Sequence, residues 1–298
     1  MLQPFLRRSL LARGTGFHFT EPPPSDIADH RYLEDADDSL AVGCALANLQ
    51  QGRFDVSRAP INRMLSSDNH DLPQMAMLLF GHSAPRGEIR MFLDWIMRRD
   101  DSKRYRYRAG EAAVAAGGLW AVPALLETYV TTERREVRGN IQYALSWLLE
   151  EEPGPIDEGP DKVAGDDSQP SFGEEPESRP DTEGYVALVK ATEQALRRDH
   201  GFDDDSVVVQ GRLLDVDTLA RKLLQHIHGN PSVDLARVNK GSLLLEAMTG
   251  WKFTGFYNEQ GAFQPLQAAA AVEEFLDAKE ARHFEPGLRY FFGHRIPE

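Results

Sequence analysis

The stretch that decides the fold is Val122-Pro123-Ala124-Leu125-Leu126, followed by Arg135-Glu136-Val137-Arg138 and then by Tyr143-Ala144-Leu145. Apolar residues recur in it at spacings of three and four, which is the pattern of an amphipathic helix. Pro123 lies near the start of the first helix, where a missing backbone N–H costs little. The small side chain of Ala144 allows two paired helices to approach closely. The stretch therefore predicts two helices joined by a short turn.

The same pattern recurs along the N-terminal half of the chain. An acidic turn residue stands at Asp35, Asp68, Asp100 and Glu133, with spacings of 33, 32 and 33 residues. The apolar sets before three of these turns are Ile61, Met64 and Leu65, then Leu93, Ile96 and Met97, then Leu126, Tyr129 and Val130. The centres of the helices after the turns are Ala45-Leu46, Leu78-Leu79, Ala112-Ala113 and Ala144-Leu145. A period of this size predicts stacked helical hairpins, because one hairpin cannot bury its own apolar face.

This region resembles a HEAT repeat array. The unit that begins at Val122 has a proline in its first helix, an acidic turn, Val137-Arg138 opening its second helix and Ala144-Leu145 within it. The preceding unit keeps Asp100, Arg106 and Ala112-Ala113 but has no matching proline. The resemblance covers about residues 30–150 and implies an α-solenoid. Two alanine-rich helices in an ordinary bundle are the alternative.

Residues 151–183 are predicted to form an acidic, disordered linker. Between Glu150 and Glu183 the chain carries thirteen acidic residues against Lys162 and Arg179, a net charge of −11, together with six prolines and four glycines. Few apolar side chains are available there to offset the entropy of the chain. We therefore divide the chain into residues 1–150, the linker 151–183 and residues 184–298. The alternative is an acidic segment that docks on a basic partner.

The C-terminal part, 184–298, is predicted to be mostly helical, as a separate domain or a cap on the repeats. One short β-hairpin is expected at residues 206–214, where β-branched residues flank a turn. The segment Leu244–Gly250, followed by Phe256-Tyr257, resembles the terminal segment of HEAT-like proteins, although Met248 stands where that segment has leucine. The aromatic tail 284–296 is expected to pack back on the fold, anchored by Phe291 or Phe292. The fold class is therefore mainly α.

Charge and composition narrow the class of protein. The formal net charge of −14 disfavours nucleic acid as a partner, because phosphate contacts need clustered Lys and Arg. No apolar run is long enough to span a membrane. The single cysteine, Cys44, lies in an apolar run and predicts a small buried side chain in a protein of the cytoplasm. The start, 1–19, is arginine-rich and acid-free, which fits a first helix or a mitochondrial presequence.

No catalytic motif, cofactor site or metal site is predicted. The chain has no phosphate-binding loop, no dinucleotide-binding glycine motif, no nucleophile elbow and no zinc-protease motif. His226 and His228 stand two residues apart in a helical pattern, so their side chains point in different directions and cannot share a metal.

Three groups of residues are predicted to contact a protein partner. The first is the basic aromatic run of Arg104, Tyr105, Arg106 and Arg108, on the second helix of a repeat, where such arrays line their concave surface. The second is Asp203, Asp204 and Asp205, which also fit a loop that leads into the next element. The third is the aromatic group of Trp251, Phe256 and Tyr257 in a glycine-rich loop. Exposed aromatics there would mark a binding hot spot, whereas buried ones would form a satellite core.

Binding of another protein is the function that these patterns favour. In composition and architecture the chain resembles immunity proteins of bacterial polymorphic toxin systems, which are cytoplasmic and occlude a cognate toxin. That resemblance implies a basic toxin domain as the partner, since opposite charges steer association. The alternatives are a HEAT-like enzyme, related to DNA glycosylases or bilin lyases, and a general scaffold or adaptor.

Overall fold

The computed structural model describes residues 26–29, 38–67, 71–91, 112, 115–161, 181–228, 235–253, 255–258, 262–278 and 283–298. The chain folds into two compact units, one formed by residues 1–85 and 214–298 and the other by residues 86–213. The named helices are α1 Asp38–Leu49, α2 Phe54–Leu65, α3 Asp71–Ser83, α4 Val122–Thr131, α5 Arg135–Leu149, α6 Thr182–His200, α7 Val216–His228, α8 Leu235–Thr249 and α9 Pro265–Asp277. The strands are β1 Val208–Val209, β2 Arg212–Leu213, β3 Tyr290–Phe291 and β4 His294–Arg295. The chain is mainly helical, as predicted.

The discontinuous unit is built on helices α1, α2 and α3, which pack side by side. Their apolar faces form one cluster with Ala247 from α8 and with Phe291 and Ile296 from the C-terminal tail. Helix α7 packs against both α8 and α9 in the same unit. The N-terminal helices therefore complete their core with residues about 200 positions further along the chain.

The tail forms an antiparallel hairpin, β3–β4, which the sequence did not indicate. Its two turn residues, Phe292 and Gly293, both have positive φ, as a two-residue type I′ turn requires. Their N–H groups donate to the carbonyl oxygens of Ala247 and Met248, each at 2.7 Å, and so satisfy the C-terminal end of α8. Phe291 is 0% exposed, which confirms that the tail packs back through it.

The contiguous unit, residues 86–213, is built on the helix pair α4–α5. Pro123 occupies the first turn of α4, as expected. Strand β1 and helix α6 both pack against α5. The hairpin β1–β2 lies where the sequence predicted it, and its turn residues Gln210 and Gly211 have positive φ.

The predicted helix–turn–helix units are confirmed where the structure describes them. Helices α2 and α3 form one pair and α4 and α5 form another, with the core positions Ile61, Leu79, Tyr129 and Leu145 buried. Val130 is an exception, because its side chain is 55% exposed. The turn residues Asp35, Asp68 and Asp100, the apolar set at 93–97 and Ala113 lie outside the described residues.

The two compact units divide the chain differently from the three parts predicted from sequence. Helices α1–α3 and α4–α5, which the prediction joins in one array, belong to different units. Residues of the predicted C-terminal domain supply the β1–β2 hairpin of one unit and α7–α9 of the other. The physical reason is that each helix group covers its apolar face with a distant segment of chain. In the described part of the chain, no helix is both long and apolar enough to cross a membrane.

Cys44 lies in α1 with its side chain fully buried, as expected. Burial raises the pKa of its thiol, and nearby Asp29 acts in the same direction, against a hydrogen bond from Asn48. Since the thiolate is the reactive form, we expect no reaction with Ellman's reagent in the native protein and one equivalent per chain in denaturant. Rapid labelling of the native protein would contradict the burial of this helix face.

Candidate functional site

The C-terminal end of α5 holds the first part of the predicted linker in place. The carboxylate of Glu150 is buried and accepts backbone N–H bonds from Gly154 at 3.3 Å, Ile156 at 2.7 Å and Asp157 at 3.0 Å. Hydrogen bonds to a charged acceptor are among the stronger ones in proteins. Ile156 is 0% exposed. Glu150 thus orders the backbone while Ile156 inserts into the core.

A second buried carboxylate, Asp161, holds the other end of this segment. Its side chain is 2% exposed. It accepts a bond from the Tyr129 hydroxyl at 2.7 Å and two from the Arg138 guanidinium, Nε at 2.9 Å and Nη2 at 3.0 Å. The Asp161 N–H donates to Gln142 Oε1 at 3.1 Å, and Gln142 Nε2 donates to the Asp157 carbonyl at 2.8 Å. We call Tyr129, Arg138, Gln142, Glu150 and Asp161 the latch, and residues 151–161 the acidic segment.

Two glycines of the acidic segment allow this close packing. A Cβ atom added to Gly154 would lie 2.6 Å from Glu150 Oε1. One added to Gly159 would lie 2.7 Å from a ring carbon of Tyr185 and 2.8 Å from Gln142. The glycines of this segment favour disorder when only composition is considered. In the folded chain their missing Cβ atoms permit the backbone to approach buried side chains.

The prediction of a disordered linker is therefore wrong for residues 151–161. The entropy cost of ordering them is offset by the hydrogen bonds of two buried carboxylates, of which Asp161 is also ion-paired, and by one buried isoleucine. Residues 162–180 of the predicted linker lie outside the described residues. Residues from Thr182 onward form α6, and Asp181 caps that helix by accepting the N–H of Gly184 at 2.8 Å.

The side chains of the latch hold the acidic segment in place. Burial, and then the hydrogen bond to Asp161, raises the pKa of Tyr129. Burial also raises the pKa of Tyr185, whose ring centroid lies 4.6 Å from that of Tyr129. Both phenols therefore keep their protons at neutral pH, where an acid–base catalyst would need a pKa close to the working pH.

The outer side of the acidic segment carries exposed acidic residues. Glu151, Glu152 and Glu158 are all exposed, and Glu151 forms an ion pair with Arg212 on β2. Because the latch orders the backbone beneath them, these carboxylates are held on a structured surface. The segment is therefore the strongest candidate for a functional surface in this unit.

The three aspartates predicted to contact a partner lie in the loop between α6 and β1. Asp203 accepts bonds from the Asp205 N–H at 3.0 Å and the Ser206 hydroxyl at 2.9 Å, and the Ser206 bond is the main reason why its pKa is lowered. Asp204 pairs with Arg197 at 2.8 Å, and Asp205 pairs with Arg86 at 3.6 Å. All three aspartates are exposed. They organise the loop, and their contact with a partner stays a prediction.

The predicted aromatic group forms a satellite core rather than an exposed hot spot. Phe256 is 1% exposed, so its assignment to partner binding is corrected to a core role. Trp251 and Tyr257 are half-buried. The ring centroids of Trp251 and Phe253 lie 5.6 and 5.7 Å from that of Phe275 on α9. Packing large aromatic rings against each other is more favourable in free energy than leaving them exposed to solvent.

The structure does not describe the residues of the remaining predicted partner site. Arg104, Tyr105, Arg106 and Arg108 all lie outside the described residues. Within the described residues, no three His, Cys, Asp or Glu side chains are grouped so that they could hold a metal ion. The latch itself was missed because its members lie on three separate stretches of chain. The only local signal for it was an acidic residue directly after an apolar helix, at Glu150.

Comparisons of the chain with models of protein families, with curated proteins and with solved structures find no match.

Proposed function

We propose that this chain is a protein-binding module, and most narrowly an immunity protein that binds and occludes a cognate bacterial toxin in the cytoplasm. Within this proposal the helix pairs form a HEAT-like scaffold, and the partner is a domain with a basic surface. The observation that carries the proposal is the acidic segment, whose exposed Glu151, Glu152 and Glu158 lie on backbone fixed by two buried carboxylates.

The charge and the ordered backbone of this surface both favour the binding of a protein. A net charge of −14 attracts a basic partner over a distance and speeds the encounter. A segment that is already ordered loses less conformational entropy on binding than a free linker does. An acidic surface of this kind is also unsuited to nucleic acid, whose phosphates need basic contacts.

Capture of a partner by the full-length chain from its native host tests the proposal. We expect one stoichiometric protein, identified by intact mass, whose affinity falls as salt rises. Co-expression of the chain should also restore growth to cells that produce the captured protein. Recovery of a tightly bound small molecule in place of a protein would overturn the proposal.

Charge reversal locates the binding surface. The double variant Glu152→Lys and Glu158→Lys is expected to slow association with the captured partner by about tenfold, measured by surface plasmon resonance. The matched control, Glu273→Lys and Glu274→Lys, makes the same change in charge at exposed positions of α9. An equal loss in both variants would show that net charge alone acts and that the acidic segment is not the contact surface.

A further inference from the structure

The first helices of two pairs, α4 and α7, bury the same positions. In α4 the buried residues up to position 129 are Val122, Leu125, Leu126, Thr128 and Tyr129. In α7 the buried residues up to position 223 are Val216, Leu219, Ala220, Lys222 and Leu223. The spacing is identical in the two helices, including a polar residue at the fourth position. Tyr129 therefore corresponds to Leu223.

The second helices of the pairs, α5 and α8, match in the same way. Each has 15 residues, and they begin at Arg135 and Leu235. Over residues 141–148 and 241–248 the order of buried and half-buried side chains is the same at every position. The match holds although the side chains differ at every position except Leu145 and Leu245.

The two hairpins cap these second helices at corresponding carbonyl groups. The N–H groups of Gln210 and Gly211 donate to Trp147 O at 2.7 Å and Leu148 O at 2.9 Å. The N–H groups of Phe292 and Gly293 donate to Ala247 O and Met248 O, which lie at the same places in α8. Both turns have a non-glycine residue of positive φ followed by glycine.

In each copy the chain at or before the first strand also donates to a carbonyl oxygen ahead of the first helix, although the residues in contact do not stand at matching positions. Val208 N donates to Gly117 O, ahead of α4, and Gly287 N donates to Leu214 O, ahead of α7. Unrelated helix pairs would not be expected to keep matching burial patterns through both helices together with a hairpin cap at matching carbonyl groups. We infer that the chain contains two copies of one helix–helix–hairpin module, and that the latch is a site present in the first copy alone. The copies differ in their third helix, since α6 packs against α5 whereas α9 packs against α7.

The latch residues are what distinguish the first copy. Tyr129, Arg138, Gln142 and Glu150 correspond to Leu223, Val238, Ser242 and Gly250. None of these counterparts carries a charge, and Gly250 has no side chain to order a loop as Glu150 does. The connection that the latch organises is also longer, running from 150 to 181 in the first copy and from 250 to 264 in the second. The acidic segment is therefore an addition to a scaffold that folds without it, and if the proposed function holds, partner specificity lies in this addition.

Conversion of the latch to its counterparts tests the duplication. The full-length variant carries Tyr129→Leu, Arg138→Val, Gln142→Ser and Glu150→Gly. We expect it to keep its helical circular dichroism and the slow amide exchange of α5 and β1–β2, while protection of residues 151–161 falls at least about tenfold. Loss of slow exchange in α5 in this variant and in the second variant below would overturn the inference, because a duplicated scaffold tolerates the residues of its other copy.

A second variant keeps the test decisive. Asp161→Asn added to the same background removes the carboxylate that the first variant leaves without its partners. If both variants lose the structure of α5, the latch is part of the scaffold and the inference is wrong. Partner capture is measured on the folded variant: its loss agrees with specificity in the first copy, whereas retained capture contradicts only the placement of the proposed function on this segment.

Discussion

Replacement of Arg138 by alanine is expected to lower the free energy of opening of residues 151–161 by about 3–5 kcal/mol, while α5 stays folded. The substitution removes both guanidinium bonds to Asp161, whose carboxylate is 2% exposed. A buried charge left without its counter-ion bears the desolvation cost with little compensation, since only the Tyr129 hydroxyl still donates to it. Hydrogen exchange over residues 151–161 measures the loss, and the slow exchange of α5 should remain.

Removal of both charges should be less harmful than removal of one. In Arg138→Met with Asp161→Asn, the buried carboxylate is gone and the amide can still accept from Tyr129, so part of the stability returns. Arg198→Ala serves as the control, because it breaks an exposed pair with Asp199 in the same unit and should leave stability unchanged. If Arg138→Ala behaved like this control, the latch would not be an anchor.

Acidification is expected to destabilise the unit formed by residues 1–85 and 214–298, because His82 is buried there. This side chain is buried at the end of α3, where burial, and then the charge of Arg289, lowers its pKa from about 6.5 to about 3. Above pH 6.5 both the folded and the unfolded chain hold a neutral imidazole, so the full stability is present. Between pH 6.5 and 3 the unfolded chain binds a proton that the folded chain excludes. Stability therefore falls by roughly 1.4 kcal/mol for each pH unit across this window.

The variant His82→Leu isolates this effect. It removes the titrating group while roughly keeping side-chain volume, so the acid-side loss of stability should be shallower than in the wild type by about that amount. Denaturation at pH 7, 6, 5 and 4, with hydrogen exchange followed over residues 71–85, gives the measurement. The control His283→Gln changes an exposed histidine of the same unit and should keep the wild-type slope. Parallel slopes in all three proteins would refute the role of His82.

Arg289 adds to the effect of burial in lowering the pKa of His82. Its guanidinium is buried and donates to the carbonyl oxygens of Gly81 at 2.6 Å and Ala84 at 2.8 Å. A cation at the C-terminal end of a helix is favoured by the helix dipole and satisfies carbonyl groups that have no partner within the helix. No local pattern in the sequence indicates this role of Arg289, because α3 and the tail are more than 200 residues apart.

Local patterns in the sequence predicted the elements of the fold correctly. Apolar spacings of three and four identified the pairs α2–α3 and α4–α5, and β-branched residues around Gln210-Gly211 identified a hairpin. These signals are local because helix periodicity and turn conformation depend on neighbouring residues. The second hairpin, β3–β4, has the same turn geometry but was not predicted, because its aromatic residues were interpreted only as a tail that packs on the fold.

The candidate site could not be predicted in the same way. Composition indicated that residues 151–161 would be disordered, since it counts charges and glycines without their partners. The partners of Asp161 are Tyr129 and Arg138, 32 and 23 residues earlier. Similarly, the side chain of Phe256 could have been a contact surface or a core residue until its neighbours Phe253 and Phe263 were located.

The sequence by itself determined that this protein is mainly helical, that its helices come in pairs and that its surface is acidic. Only the tertiary structure decided which pairs share a core, that an acidic segment is fixed by buried carboxylates, and that two pairs carry the same hairpin cap. The reason is physical: secondary structure follows from side chains a few positions apart, whereas the burial of a charge or an apolar face depends on segments that meet only after folding.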